Sequence, residues 1–271
     1  MREVLEKLLK GEISLSEAER LLRINAVEEI ESTARLDFRR EFRAGIPEIV
    51  LAEGKSPSDT VKIVLKILEL KGRVIVTRAS EKHINTLKGA VLNQYKLRVN
   101  ERAKLVVAWR KGLKVQKLGR KIGIMTGGTS DISVAEEAKA IAEEMGCEVI
   151  TAYDVGIAGF HRHLEPLKRM IKEDVDALIV VAGMEGALPS VISSLVDIPV
   201  IGVPTSCGYG LGGKGVGALI TMLQTCSPGL CVVNIDNGAG AGALAALIAH
   251  KVSKALKESE EIKRDNRDTL L

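Results

Sequence analysis

Cysteine is most often a small buried hydrophobe, yet Cys207 sits in Pro204-Thr-Ser-Cys-Gly-Tyr-Gly-Leu-Gly-Gly-Lys214, a polar, glycine-rich stretch directly after an apolar run. A thiol in that setting reads as a nucleophile. Backbone N–H groups and Lys214 nearby are the kinds of group that favour a thiolate. Thr205, Ser206 and Gly208 flank it with hydroxyls and bare backbone that could contact a substrate. A second segment, Thr126-Gly-Gly-Thr-Ser-Asp131, has the composition to hold a phosphate. Gly127 and Gly128 offer N–H groups at a helix start, and Thr129 and Ser130 add hydroxyls. Asp131 could bind a ribose hydroxyl, cap the helix or help hold a metal. The plainer alternative is a tight turn with Ser130 or Asp131 as the cap.

Two further segments carry titratable groups. In Asp154-Val-Gly-Ile-Ala-Gly-Phe-His-Arg-His163, His161 could carry a proton or bind a metal, and Arg162 could pair with a phosphate. A surface or structural histidine is the alternative. In Ala182-Gly-Met-Glu-Gly-Ala-Leu-Pro189, Glu185 is a candidate general base or metal ligand, with Gly183, Met184 and Gly186 as binding positions beside it. The alternative is a solvated loop acid. Asn234-Ile-Asp-Asn-Gly-Ala-Gly-Ala-Gly242 is rich in small residues that allow close helix approach, so it serves subunit packing as readily as ligand binding. Cys147, Cys226 and Cys231 lie in or beside apolar elements and read as inert core residues. Arg39, Arg40 and Arg43 could contact phosphate, although a solvated or salt-bridged face explains them as well.

All five loops must be held by something rigid, and the pattern from Lys121 onward supplies it. Val- and Ile-rich strands are predicted at 121–126, 148–153, 177–181, 200–203 and 230–235. They alternate with helices at 133–145, 164–172, 188–196, 215–225 and 239–256. Near-continuous apolar strands separated by helices mean a parallel sheet covered on both faces, a doubly wound three-layer α/β arrangement of Rossmann or flavodoxin type. Ligands in such folds lie outside the carboxyl ends of the strands, where the loops above fall. Ahead of this lies a smaller α/β or α+β domain. It has helices from Val4 and Ser14, strands at 48–52, 73–77 and 104–109, and helices capped by Ser56 and Ser80. The basic segment Arg110–Arg120 marks the junction. The expected division is a domain over 1–112, a linker over 113–120, the larger domain over 121–257 and a charged tail over 258–271.

Composition narrows the function. The 271 residues are 46% hydrophobic and 27% charged, which describes a globular chain. Aromatics are 3% and the net charge is +4 with no basic stripe, which argues against nucleic acid as partner. The longest apolar stretch, Ala177–Pro204, is broken by Glu185, Pro189, Asp197 and Pro199, so no membrane span is expected. The first residues lack a signal-peptide pattern, and four scattered cysteines suggest neither a disulfide framework nor a zinc site. The expected location is the cytoplasm.

Lys121–Lys251 resembles the phosphoribosylaminoimidazole carboxylases of purine synthesis, the PurE family. The likeness rests on Gly127-Gly-Thr-Ser-Asp131, Gly159-Phe-His-Arg162, Ala182-Gly-Met-Glu-Gly-Ala-Leu-Pro189 and Pro199-Val-Ile-Gly-Val-Pro204. Two features depart from those enzymes: the cysteine loop Thr205-Ser-Cys-Gly-Tyr-Gly210 and the first 120 residues. Both are similar to the LarB family of nickel-pincer cofactor biosynthesis. So are Asp37-x-x-Arg40, Arg43-x-Gly-x-Pro-Glu48 and Gly54-Lys55. The resemblance implies carboxylation of the pyridinium ring of nicotinic acid adenine dinucleotide by carbon dioxide. It also implies hydrolysis of the pyrophosphate, giving AMP and pyridinium-3,5-biscarboxylic acid mononucleotide. It implies a homo-octamer, with the dinucleotide as substrate rather than bound cofactor. Mg²⁺ would suit the pyrophosphate step, but no ligand set is evident. A purine-type carboxylase or mutase, and a nucleotide-binding module without chemistry, are the rival readings.

Overall fold

A computed structural model describes residues 2–23, 28–30, 34–36, 45–91 and 94–268. Asp37, Arg39, Arg40 and Arg43 lie outside the described residues. Two units form, one of residues 1–99 with 106–113, the other of 100–105 with 114–271.

The first unit begins with helices α1 (Arg2–Leu9) and α2 (Leu15–Arg23). Ser14 opens α2 as the sequence predicts, its hydroxyl accepting from Glu17 N–H at 3.2 Å. Strands β1 (Glu28–Ile30) and β2 (Ala34–Leu36) form an antiparallel pair. Next come β3 (Ile49–Leu51), α3 (Pro57–Lys71), β4 (Arg73–Thr77), α4 (Glu81–Ala90), β5 (Tyr95–Asn100) and β6 (Leu105–Arg110). The second sheet has the order β3-β4-β6-β5, with β3 parallel to β4 and β4 antiparallel to β6. Ser56 caps α3 by accepting from Asp59 N–H at 3.1 Å, and Gly72 ends it in the left-handed region. Val64, Ile67 and Leu68 of α3 and Leu87 of α4 pack on Val74, Val76, Val106 and Ala108 of the sheet. The smaller domain is therefore α/β with a mixed sheet.

The second unit contains β7 (Lys121–Thr126), α5 (Ile132–Glu144), β8 (Glu148–Ala152), α6 (Leu164–Lys172), β9 (Ala177–Ala182), α7 (Leu188–Ser193), β10 (Val200–Pro204), α8 (Val216–Leu223), β11 (Leu230–Val232) and α9 (Gly238–Asp268). All five strands are parallel, in the order β11-β10-β9-β7-β8. Numbered within the domain this is 2-1-3-4-5, the flavodoxin order. On one face Met125, Leu178, Val180 and Val200 pack with Leu167 and Met170 of α6, Ile192 of α7 and Met222 of α8. Helices α5 and α9 cover the other face. Strands β9 and β10 are buried along their whole length, as their unbroken apolar sequence requires.

Three expectations change. The segment 114–120 belongs with the second unit rather than forming a free linker: Leu118 N–H donates to Gly146 O at 2.9 Å. The charged tail continues α9 to Asp268, because Lys, Glu and Arg are good helix formers and Lys254 pairs with Glu258 one turn on, at 3.6 Å. Cys226 and Cys231 are exposed, and only Cys147 is buried among these three. Cys231 faces outward from the edge strand β11, and Cys226 lies in the loop before it.

The glycine-rich start of α9 packs inside the chain, against α5. A Cβ on Gly238 would fall 2.3 Å from Val134 O, and one on Gly242 would fall 2.3 Å from Ala138 O. The helices therefore meet nearly backbone to backbone. Gly242→Val is expected to cost on the order of 1–3 kcal/mol through overpacking. A lower urea midpoint at unchanged slope would show it.

Candidate active site

The strand order reverses between β7 and β9. Both strands end in glycine-rich loops there, where doubly wound sheets bind ligands. A cavity of about 410 Å³ opens at this point, an ordinary size for a small-molecule site. Gly127, Gly128, Ser130 and Asp131 line it after β7, and Gly156, Ile157 and Ala158 after β8. Gly183, Met184 and Glu185 follow β9, and Cys207, Gly208 and Tyr209 follow β10.

Asp131 ties three of these loops together. Its Oδ2 accepts from Gly128 N–H at 2.8 Å, and its Oδ1 accepts from the Thr205 hydroxyl at 2.7 Å. Gly183 N–H donates to it as well. The residue is only 4% exposed. Burial pushes its pKa up from the usual carboxylate value, and the three donors oppose that shift. Gly127 N–H donates to Val181 O at 2.8 Å. The two glycine N–H groups that the sequence offers to a phosphate are therefore occupied within the protein. Ser130 remains on the cavity wall, and Thr129 is exposed outside the lining.

The loops also touch through bare backbone. A Cβ on Gly156 would fall 2.4 Å from Gly127 O. One on Gly183 would fall 2.3 Å from Cys207 O and 2.6 Å from Thr205 Oγ1. Gly186 packs on Ala218 in the same way, at 2.7 Å from its Cα. Side chains at these positions would force the loops apart.

Cys207 is half-buried. Its carbonyl accepts from Met184 N–H at 3.0 Å, and its thiol donates to Ser130 O at 3.4 Å. Glu185 lines the same cavity, exposed, with no hydrogen bond or ion pair among the described residues. A thiol and a carboxylate without a partner among the described residues thus share one cavity. Ser206 is exposed, and its N–H donates to Asp236 at 2.8 Å. Lys214 is exposed and makes no ion pair among the described residues. Asp154, Met184, Lys214 and Asp236 have positive φ between 50° and 58° and follow the strands that feed this edge. Such backbone is costly for residues other than glycine and gathers at functional sites.

His161 and Arg162 are exposed on a 3₁₀ turn, outside the cavity lining. Arg162 Nη1 instead faces Asp154 Oδ2 at 3.4 Å. Their loop reaches the cavity through Gly156, Ile157 and Ala158, which residue chemistry alone does not single out. His163 occupies the buried place beside them. Its ring meets that of Phe160 edge-on at 4.7 Å, and neither ring nitrogen has a hydrogen-bond partner among the described residues.

With this geometry in place, comparisons with known proteins are decisive. The AIR carboxylase family model matches residues 121–269, and the LarB/PurE-like N-terminal domain model matches residues 27–111. The chain belongs to the AIR carboxylase family. It has the two-domain form that carries the LarB/PurE-like N-terminal domain. It is 51% identical over 256 residues to an uncharacterized protein of Methanocaldococcus jannaschii, covering 94% of this chain and 98% of that one. It is 35% identical over 147 residues to an N5-carboxyaminoimidazole ribonucleotide mutase of the same organism, covering 52% of this chain and 88% of the mutase. The corresponding mutase of Thermotoga maritima is 31% identical over 157 residues, 54% of this chain and 86% of its own. A crystal structure of Treponema denticola PurE aligns with a TM-score of 0.38 at 20% identity, over 56% of this chain and 98% of its own.

As an AIR carboxylase family member, the chain carries a carboxylase- or mutase-type catalytic domain. The cavity, lined by residues between Gly127 and Tyr209, lies within the matched segment.

His163 makes this edge acid-sensitive. Burial pushes its pKa down from about 6.5, so the unfolded chain takes up a proton that the folded one refuses. The stability this provides is complete above pH ~6.5 and is lost as pH falls through the folded value. Denaturant titrations from pH 8 to 5 should show falling stability in the wild type and a flatter profile in His163→Leu.

Proposed function

We propose that this protein carboxylates the pyridinium ring of nicotinic acid adenine dinucleotide and hydrolyses its phosphoanhydride, releasing AMP and pyridinium-3,5-biscarboxylic acid mononucleotide. The product is a precursor of a nickel-pincer cofactor. One observation carries this reading: the Cys207 thiol lines the cavity of the carboxylase-type domain together with Glu185, which has no partner among the described residues. The LarB/PurE-like N-terminal domain supports it.

The chemistry follows from the substrate. A pyridinium ring is electron-poor and cannot attack carbon dioxide. Cys207 sulfur, as thiolate, adds para to the ring nitrogen and gives a neutral dihydropyridine. The ring carbon meta to nitrogen is now an enamine carbon and forms the C–C bond to carbon dioxide. A base removes the hydrogen from that carbon, and its electron pair restores the enamine. Expulsion of the thiolate then re-forms the aromatic cation. Ring C–H has become C–CO₂⁻ with release of one proton, and covalent catalysis has divided one hard step into easier ones. Glu185 is the base in this scheme, since it shares the cavity with the sulfur while His161 stands outside its lining. Ser130 and the backbone of Gly183, Met184 and Gly208 form the walls that bind the nucleotide.

Hydrolysis of the pyrophosphate needs neutralisation of charge on phosphorus oxygens, which a bound Mg²⁺ would supply as a Lewis acid. Among the described residues no three His, Cys, Asp or Glu side chains are grouped to hold a metal ion. The fit is therefore to an ion held chiefly by the substrate phosphates with one or two protein carboxylates, as Mg²⁺ commonly is. This reading includes assembly into a homo-octamer and a cytoplasmic location. The exposed apolar stripe of Val216, Ile220 and Leu223 on α8 supports self-association.

The test is incubation with the dinucleotide, bicarbonate and Mg²⁺, followed by mass spectrometry. AMP and a ring product heavier by one carboxyl group are expected. Absence of both, with turnover of carboxyaminoimidazole ribonucleotide instead, would establish the purine-type reading. Cys207→Ala should make no carboxylated product, and retained carboxylation would remove the covalent step. Glu185→Gln should lower kcat by about 10²–10⁴-fold, as loss of a general base does, while a mass shift for the Cys207 adduct persists.

A further inference from the structure

Tyr209 is 83% exposed, and it lines the same cavity as Cys207 two residues before it. Among the described residues it is the only aromatic side chain in that lining, in a chain with only three tyrosines, three phenylalanines and one tryptophan. Gly208 and Gly210 bracket it at φ of 149° and 76°, conformations that favour glycine. A Cβ at Gly210 would meet nothing within 4 Å. The ring thus lines the cavity with most of its surface uncovered.

We infer that Tyr209 binds the substrate ring by laying its π face against the pyridinium cation that Cys207 attacks. This rests on the pyridinium reading above. An aromatic face attracts a cation within about 6 Å of its centroid, and more strongly where water is excluded. A planar cation also offers the ring a flat surface to cover. Adjacency assigns the partner: only Gly208 separates Tyr209 from Cys207, so its reach is to the ring under attack. The attraction has a defined place in the cycle. It acts while the ring is cationic, lapses when sulfur addition makes the ring a neutral dihydropyridine, and returns when the aromatic product forms. Tyr209 therefore strengthens substrate binding without helping adduct formation.

The experiment separates ring charge from general contact. In a Cys207→Ala background, where no adduct forms, calorimetry measures binding of nicotinic acid adenine dinucleotide and of its 1,4-dihydro form. Tyr209→Ala should weaken the oxidised form roughly 5- to 30-fold and the reduced form little. Tyr209→Phe should keep the discrimination. With Cys207 intact, Tyr209→Ala should raise KM and kcat together and leave kcat/KM unchanged, because the lost contact stabilises the bound cation and not the neutral adduct. Equal losses for both redox forms, an unchanged KM, or a changed assembly mass by light scattering with binding intact would each overturn the inference. A wild type that binds the dinucleotide but makes no AMP and no carboxylated ring sinks the carboxylase reading alone. The binding ratio then still decides Tyr209.

Discussion

Everything at the carboxyl edge of the parallel sheet depends on the buried carboxyl of Asp131. It receives donors from its own loop at Gly128, from the β9 loop at Gly183 and from the β10 loop at Thr205. A carboxyl in that position costs free energy unless its oxygens are satisfied. Its donors come from segments 3 to 74 residues distant, so the cost is met only when the three loops are assembled. One buried acid thereby converts independent turns into a single wall. Cys207 stands on that wall, with its thiol against Ser130 and its carbonyl on Met184 N–H.

The architecture and the chemistry divide the work between sheet and loops. Strands β9 and β10 are wholly buried and fix where their loops emerge. The flavodoxin order then opens a gap beside β7, where two adjacent loops diverge. The chain places its thiol and its carboxylate at that gap. The AIR carboxylase scaffold brings the cavity, and the β10 loop brings the sulfur and the aromatic ring.

Much of this was legible in the sequence, for definite reasons. The long Val/Ile runs of β7, β9 and β10 have no other use than a sheet covered on both faces, and glycines after each run mark the loops that line the cavity. What escaped was of two kinds. Strand β5 alternates Tyr95, Leu97 and Val99 inward with Lys96 and Arg98 outward on a sheet edge, and so short an alternation resembles a mixed-charge loop. The pairing of Asp131 with Thr205 is a contact in space that no local pattern encodes. The same limit applies to the histidine loop. His161 draws notice by its chemistry, while Gly156, Ile157 and Ala158 reach the cavity by their place in a turn. The short apolar segments around Cys226 and Cys231 look like core, although one is a loop and the other an edge strand.

The bare-backbone contacts at Gly156 and Gly183 have a consequence for how such a site can diversify. Even a methyl group at either position would strike a carbonyl oxygen of the neighbouring loop. The two seams are therefore closed to substitution, and ligand preference cannot be retuned by enlarging them. Variation is channelled to positions whose side chains stand clear of the seams, Met184, Glu185 and Tyr209 among them. A lineage exploring new substrates on this frame would keep its glycines and trade the residues between them, changing the reaction while the wall that carries it stays rigid.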